Sequence, residues 1–350
     1  MTCIAAEQLP GASVLDLETR RDGPSYSVVT ARVLRTWDPE GELWLLCGTD
    51  MFLSLDKWYR SDWLLRNLYI AAYPRSTGDR PVLEEHAEVL RRVWGARVEI
   101  IDLEPLEVSS TEVRQALKQG RGCDMVGDAV YAYILRSRLY GVRPEPEVLW
   151  RLSLPRQVPK RLPHVQGCRE EAVRLAGRWG ADAAEAERAA ILHDVTKGLS
   201  IEEQLRLCAE YGIIPGIGAD DRPARQSKPP MSPEEFADRY PSVLHAFSGA
   251  AVAWGEFGVS PEVRDAIMWH TTGRENMTLL EKLIWLADYI EPNRCMHGVN
   301  KVRKLAYQDL NAALKKAMKS SLEHVEERGG TPCPATCEAL ADLRKKETKT

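Results

Sequence analysis

The chain has 350 residues, enough for two separate hydrophobic cores. Its formal net charge is −4, so no general attraction to nucleic acid or to an anionic membrane is implied, and no apolar run approaches the length of a membrane span. The N-terminus carries neither a basic nor an apolar leader, so the eight scattered cysteines read as reduced thiols of a cytoplasmic protein.

In chain order, the first part alternates. Ser13–Leu17, Leu43–Cys47, Leu68–Ala72 and Val98–Ile101 are expected strands. Ser27–Trp37, Leu83–Trp94, Ser110–Gln119 and Asp124–Leu139 are expected helices. Alternation of this kind argues for an α/β domain with a parallel sheet, placed at residues 1–142. Gly141–Pro146 ends the pattern, and residues 143–150 are expected to be a linker. Strand signals then stop. Ala172, Leu175, Ala176 and Trp179 have helical spacing, as do Ala186, Ala189, Ala190 and His193, and Thr278–Ile290 carries one broad apolar face. Residues 151–343 are therefore expected to form an all-α domain. Pro215–Pro233 reads as a surface loop, and residues 344–350 as a disordered tail.

The most informative pair is His193-Asp194. His193 continues the apolar stripe of its helix, and Asp194 lies about 100° round it. His164, His245, His270 and Asp288 are the partners. Together these residues hold four of the chain's seven histidines. Imidazole with carboxylate suits iron, manganese or zinc. A single inward histidine is more often a hydrogen-bonded core residue. Two inward aspartates need a counter-charge, and one divalent ion accounts for the whole set. Lys197 follows Asp194 by three; its plainer reading is a surface lysine, its sharper one a phosphate contact. Thr271, Thr272 and Arg274 directly follow His270, and Arg294 lies six beyond Asp288. All four carry donors suited to phosphate.

The pattern His164, His193-Asp194, Asp288 resembles that of the HD-domain metal phosphohydrolases. Leu244-His245-Ala246, His270-Thr271-Thr272-Gly273-Arg274 and Ala287-Asp288-Tyr289-Ile290-Glu291-Pro292 narrow the likeness to the YqeK-type symmetrical diadenosine tetraphosphate hydrolases, over about residues 150–340. The resemblance implies a hydrolase that cuts a dinucleoside polyphosphate into two ADP. It implies a metal, typically iron, held by His164, His193, Asp194 and Asp288, with Asp194 and Lys197 as catalytic residues. His245 and His270 would hold a second metal or touch phosphate. Lys197, Thr271, Thr272, Arg274 and Arg294 would bind nucleotide, as would Thr331 and Thr336. In that last stretch Cys333 stands where a histidine is common.

In the first part, three strings stand out: Gly23–Ser27, Gly48–Trp58 and Ser109–Arg114. The last reads either as an anion site at a helix N-terminus or as a plain capping box. With Tyr133-Ile134 and Leu139-Tyr140-Gly141, they resemble the Rossmann-like nicotinate-nucleotide adenylyltransferases. The resemblance implies Asp50 and Trp58 at a pyridine-nucleotide site and Ser110, Thr111 and Arg114 at ATP phosphates. The chain has no Gly-x-Phe-x-Pro-x-His-x-Gly-His string, its first histidine is His86, and Val29 stands where an aspartate is common. The domain is thus expected to be incomplete, with a sheet edge exposed. Three readings follow: a metal-dependent hydrolase, an adenylyltransferase fused to it, or a non-catalytic nucleotide-binding module beside it. The expected partner is a small nucleotide, and the chain is compatible with a homodimer.

Overall fold

A computed structural model describes residues 1–217 and 231–347. The chain divides into two compact units, Met1–Val113 and Arg114–Thr350. No helix among the described residues is long and apolar enough to cross a membrane.

In the first unit, helices α1 (Thr2–Ala6) and α2 (Ser27–Trp37) precede strand β1 (Trp44–Gly48). Helices α3 (Thr49–Leu53) and α4 (Ser61–Asn67) lead to β2 (Tyr69–Tyr73), and α5 (Arg80–Trp94) leads to β3 (Arg97–Ile100). The sheet is parallel throughout in the order β1-β2-β3, with Trp44 opposite Tyr69 and Ile70 opposite Val98. Parallel neighbours need crossover helices, which α3, α4 and α5 supply. Val28, Phe52, Leu55, Leu64, Leu65, Ile70, Leu83 and Leu90 form the core. Trp44 and Leu46 of the edge strand β1 are exposed. Ser13–Leu17 is not a strand. Asp16 folds the chain locally, taking Thr19 Oγ1 on its carbonyl at 2.9 Å and Arg20 Nε on its carboxylate at 2.6 Å, so a turn replaces the ladder.

Helix α6 (Ser110–Lys118) carries the boundary between the units. The second unit continues with α7 (Asp128–Arg136), α8 (Pro146–Ser153), α9 (Leu162–Trp179), α10 (Ala183–Leu192) and α11 (Ile201–Glu210). It ends with α12 (Pro233–Arg239), α13 (Pro241–Gly255), α14 (Pro261–Met268), α15 (Leu279–Ile290), α16 (Val299–Ala306), α17 (Leu310–Glu327) and α18 (Pro334–Glu347). It contains no strand among the described residues, as the apolar spacing implied. The alanine-rich α10 packs against α9, α14 and α15. Asp182 caps it, accepting from the backbone of Ala184 and Glu185 at 2.9 and 3.1 Å.

Three expectations need correction. The divide falls at residue 113, not 142, because α7 is tied into the helical unit. Arg138 donates to the carbonyl of Trp254 at 2.8 Å, and Arg151 of α8 pairs with Asp128 at 2.5 Å. Residues 143–150 are not a free linker: Pro146 opens α8, whose Val148 and Leu149 are buried, and Arg188 holds the carbonyl of Pro144. Residues 344–347 continue α18. Most of the expected Pro215–Pro233 loop and the last residues of the tail lie outside the described residues.

Gly258, at φ +62°, packs against α7 so closely that an added Cβ would lie 2.5 Å from the carbonyl oxygen of Leu135. Gly258→Ala is expected to destabilise the helical unit by about 2 kcal/mol, read as a lowered midpoint in urea unfolding.

Candidate metal centre

The candidate residues come from separate elements. His164 lies in the first turn of α9, His245 in α13 and Asp288 in the last turn of α15. His193 and Asp194 follow α10, and His270 follows α14. The helix expected through His193 and Lys197 in fact stops at Leu192. Bonds from Val195 to Leu192, Lys197 to Asp194 and Leu199 to Thr196 tighten the next residues into successive three-residue turns. Thr196 clamps this segment to α13, donating to the carbonyl of His245 at 3.0 Å and lying 2.7 Å from Ser248 Oγ.

The imidazoles are oriented by what holds their Nδ1 atoms. His193 Nδ1 lies 2.7 Å from the carbonyl of Ala190, and His270 Nδ1 lies 2.7 Å from that of Ile267. A carbonyl only accepts, so each ring carries its hydrogen on Nδ1 and turns an Nε2 lone pair inward. His164 Nδ1 lies 3.0 Å from Glu291 Oε1. The inward atoms converge. His164 Nε2 is 3.4 Å from His193 Nε2 and 3.1 Å from Asp288 Oδ1. His193 Nε2 is 3.4 Å from Asp194 Oδ2, and His245 Nε2 is 3.2 Å from both Asp194 Oδ1 and His270 Nε2. Among the described residues, two donor groups have all their atoms within 4.8 Å of one another: His164, Cys168, His193 and Asp288, and His193, Asp194 and His270. Imidazole lone pairs aimed at one another beside carboxylates fit a divalent cation.

Electrostatics agree with that geometry. Burial pushes His270 down to about 3, helped by His193 and His245. Burial also lowers His245. Burial opposes the charged form of His193, but Asp194 beside it wins and raises the group. Both aspartates stay well below the ordinary carboxylate range despite burial, Asp194 through His193 and His245, Asp288 through His164 and Arg294. Each also has a guanidinium partner: Arg161 on Asp194, and Arg294 on Asp288 at 2.6 Å. Lys197 Nζ is 3.0 Å from His245 Nε2, and burial lowers its pKa.

The remaining candidates divide. The Oγ1 atoms of Thr271 and Thr272 and Nε of Arg161 are buried with no hydrogen-bond partner among the described residues. Arg274 instead forks onto the buried carboxylate of Glu281, at 2.6 and 3.0 Å. Thr331 is exposed ahead of α18, and Thr336 is buried in its first turn. Three residues of the centre went unread in the sequence. Cys168 and Glu291 were each signalled by helical spacing, four after His164 and three after Asp288; Arg161 sits just before α9.

Residues 161–293 match the HD domain. The chain is 39% identical over 174 residues to the symmetrical bis(5'-nucleosyl)-tetraphosphatase of Bacillus subtilis (strain 168), covering 49% of this chain and 83% of that protein. The chain belongs to the HD-domain hydrolase family. A solved structure from Clostridium acetobutylicum, described as a predicted HD superfamily hydrolase involved in NAD metabolism, is 32% identical; the match covers 58% of this chain and 99% of that one, with a TM-score of 0.47. The chain is also 35% identical over 155 residues to a probable nicotinate-nucleotide adenylyltransferase of Syntrophotalea carbinolica, 40% of this chain and 71% of that protein. By that likeness it belongs to the adenylyltransferase family as well.

Asp50 pairs with Arg75 at 2.7 Å just beyond the C-terminal end of β1, and Trp58 Nε1 donates to Ser54 Oγ at 3.3 Å. Ser110, Thr111 and Arg114 are exposed on α6. Its N-terminus is a capping box: Glu112 N donates to Ser109 Oγ at 3.2 Å, and Ser109 N to Glu112 Oε2 at 2.8 Å.

Gly167 gives Glu291 its access to His164, since a Cβ there would lie 2.6 Å from Glu291 Oε2. Gly167→Ala and Glu291→Ala are both expected to weaken divalent-metal affinity about 10- to 100-fold, measured by competition with a chromophoric chelator. Unchanged affinity in both would remove Glu291 from its role in orienting His164.

Proposed function

We propose that the HD domain of this chain is a metal-dependent hydrolase that cuts diadenosine tetraphosphate symmetrically into two ADP. The observation that carries the reading is a cluster of histidines and aspartates flanked by buried donors with no partner among the described residues, Arg161 Nε, Thr271 Oγ1 and Thr272 Oγ1. Buried polar groups are rarely left unpaired, and phosphate oxygens are suitable acceptors for these. The name of the B. subtilis relative supports the substrate.

In this reading His164, His193, Asp194 and Asp288 hold the metal, iron being the first candidate and manganese or zinc the others, and His245 and His270 hold a second ion or contact phosphate. A bound divalent cation would supply Lewis acidity, activating water near neutral pH and offsetting phosphoryl charge. Asp194 accepts from Arg161 and lies 3.2 Å from His245 Nε2, which keeps both side chains beside the reacting phosphate. Lys197, Arg161 and Arg294 present positive charge where the departing ADP becomes more anionic. Thr271 and Thr272 hold a phosphate by hydroxyl donation. Arg274 supports the site through Glu281 at the start of α15.

The test is product analysis with diadenosine tetraphosphate and added iron, manganese or zinc. ADP as the sole nucleotide product is expected. AMP with ATP would refute the symmetric cut. Asp194→Ala is expected to lower turnover by at least about 100-fold and to lose bound metal, with helical circular dichroism retained.

A second reading concerns the first unit. Thr49, Asp50, Arg75 and Asp79 gather beyond the C-terminal ends of β1 and β2, linked by Thr49 Oγ1 to Asp79 Oδ2 at 2.6 Å and by Asp50 to Arg75. Open α/β sheets bind ligands at that edge. Nucleotide binding there, through Asp50 and Trp58, fits either adenylyl transfer or a non-catalytic module. Pyrophosphate release from ATP with nicotinate mononucleotide is expected for the transferase, and ATP binding without release for the module.

A further inference from the structure

We propose that helix α5 of the first unit carries a homodimer interface, on which α5 of a second copy of this chain packs antiparallel. The inference is independent of the metal-centre reading.

Helix α5 has two apolar stripes where one would serve its own core. Leu83, Ala87 and Leu90 are buried in the core of the first unit. Val82, Val89 and Val93 lie on a different face and are exposed, at 47%, 37% and 58%. With His86 they recur at intervals of four, three and four residues, the a/d spacing of a helix-pairing seam. The His86 ring packs edge-on against Phe52, with 5.3 Å between ring centres, which anchors that position of the seam to its own unit.

The charges of α5 choose both the partner and its direction. Arg80 pairs with Glu84 and Asp102, and Arg91 pairs with Glu88. Glu85 and Arg92 are exposed and are the charged residues of α5 left without an ion pair among the described residues. They stand seven residues apart, about 10 Å along the axis, beyond the i+3 and i+4 neighbours that meet on one helix. Each lies one position before a seam residue, Glu85 before His86 and Arg92 before Val93, so both flank the stripe on the same edge. In an antiparallel pair of identical helices, Val82 meets Val93 of the second copy and His86 meets Val89. Glu85 then falls beside Arg92 of the second copy, and the two-fold axis repeats the pair. A parallel pair would set Glu85 against Leu90, which is buried, and leave both charges unmatched. The stripe is therefore complementary to itself in charge as well as in apolar spacing, which a two-fold dimer requires. The helix has 15 residues, so the seam is short and dimerisation is concentration-dependent.

The test is sedimentation velocity of the full chain from micromolar to several hundred micromolar concentration. A monomer–dimer equilibrium is expected within that range. Glu85→Arg and Arg92→Glu should each weaken dimerisation about tenfold or more, because like charges then face each other twice. Mixing the two variants should restore the dimer, since each charge again meets its opposite across the seam. The double variant should restore it as well. Val89→Asp should abolish it in every combination. All of these positions are exposed, so helical circular dichroism should not change. A wild-type chain that stays monomeric at the highest concentration overturns the proposal. A dimer that neither charge reversal weakens places the interface elsewhere and also overturns it. Weakening in both variants without recovery on mixing refutes the antiparallel pairing.

Discussion

The centre depends on a backbone constraint. Two peptide carbonyls, those of Ala190 and Ile267, take the Nδ1 hydrogens of His193 and His270 and so turn the Nε2 lone pairs toward the same space. Both carbonyls belong to the last turns of helices, where intrahelical partners run out, and that of Ile267 also takes the backbone N–H of His270 at 3.3 Å. The ends of α10 and α14 thereby do two things at once: they satisfy their own backbone and they set imidazole direction. Packing of the alanine-rich α10 against α9, α14 and α15 then gathers the donor atoms of His164, His193 and Asp288 within 4.8 Å of one another, and those of His193, Asp194 and His270 likewise.

The third ring is handled differently. His164 sits at the start of α9, where no helix-end carbonyl takes its Nδ1, and a carboxylate does so instead. Glu291 is held in turn by the backbone N–H of Asn293, which donates to Oε2 at 2.7 Å. Asn293 also reaches back to the carbonyl of Pro163 at 3.0 Å. The segment after α15 is thus tied to the first turn of α9 at Pro163 and at His164. A glycine at 167 leaves the room this arrangement needs.

Much of this was legible in the sequence. Period-two and helical spacing located β1, β2 and β3 to within about a residue, and Ser27–Trp37 to the residue. The donor set was visible because buried imidazoles and carboxylates conflict with an apolar stripe. The missed features are non-local. Pro146 and the Pro-Gly run before it suggested a linker, but burial of Val148 and Leu149 depends on residues far along the chain. Ser13–Leu17 had strand composition, yet Asp16 found closer partners within four residues. Arg274 looked like a phosphate donor until its fork met Glu281, a pairing that composition near His270 does not encode.

The guanidinium groups of Arg161 and Arg294 have a consequence for how the protein is assembled. Each neutralises an aspartate of the centre without any ion. The helical core around them is closed by Ala189, Ile191, Leu286 and their neighbours rather than by ligand bonds. Small metallodomains that lack such internal counter-ions are chains that collapse only around their metal. Here each aspartate has an arginine as internal counter-charge, so the burial of the two carboxylates in the helical core does not rest on a cation alone.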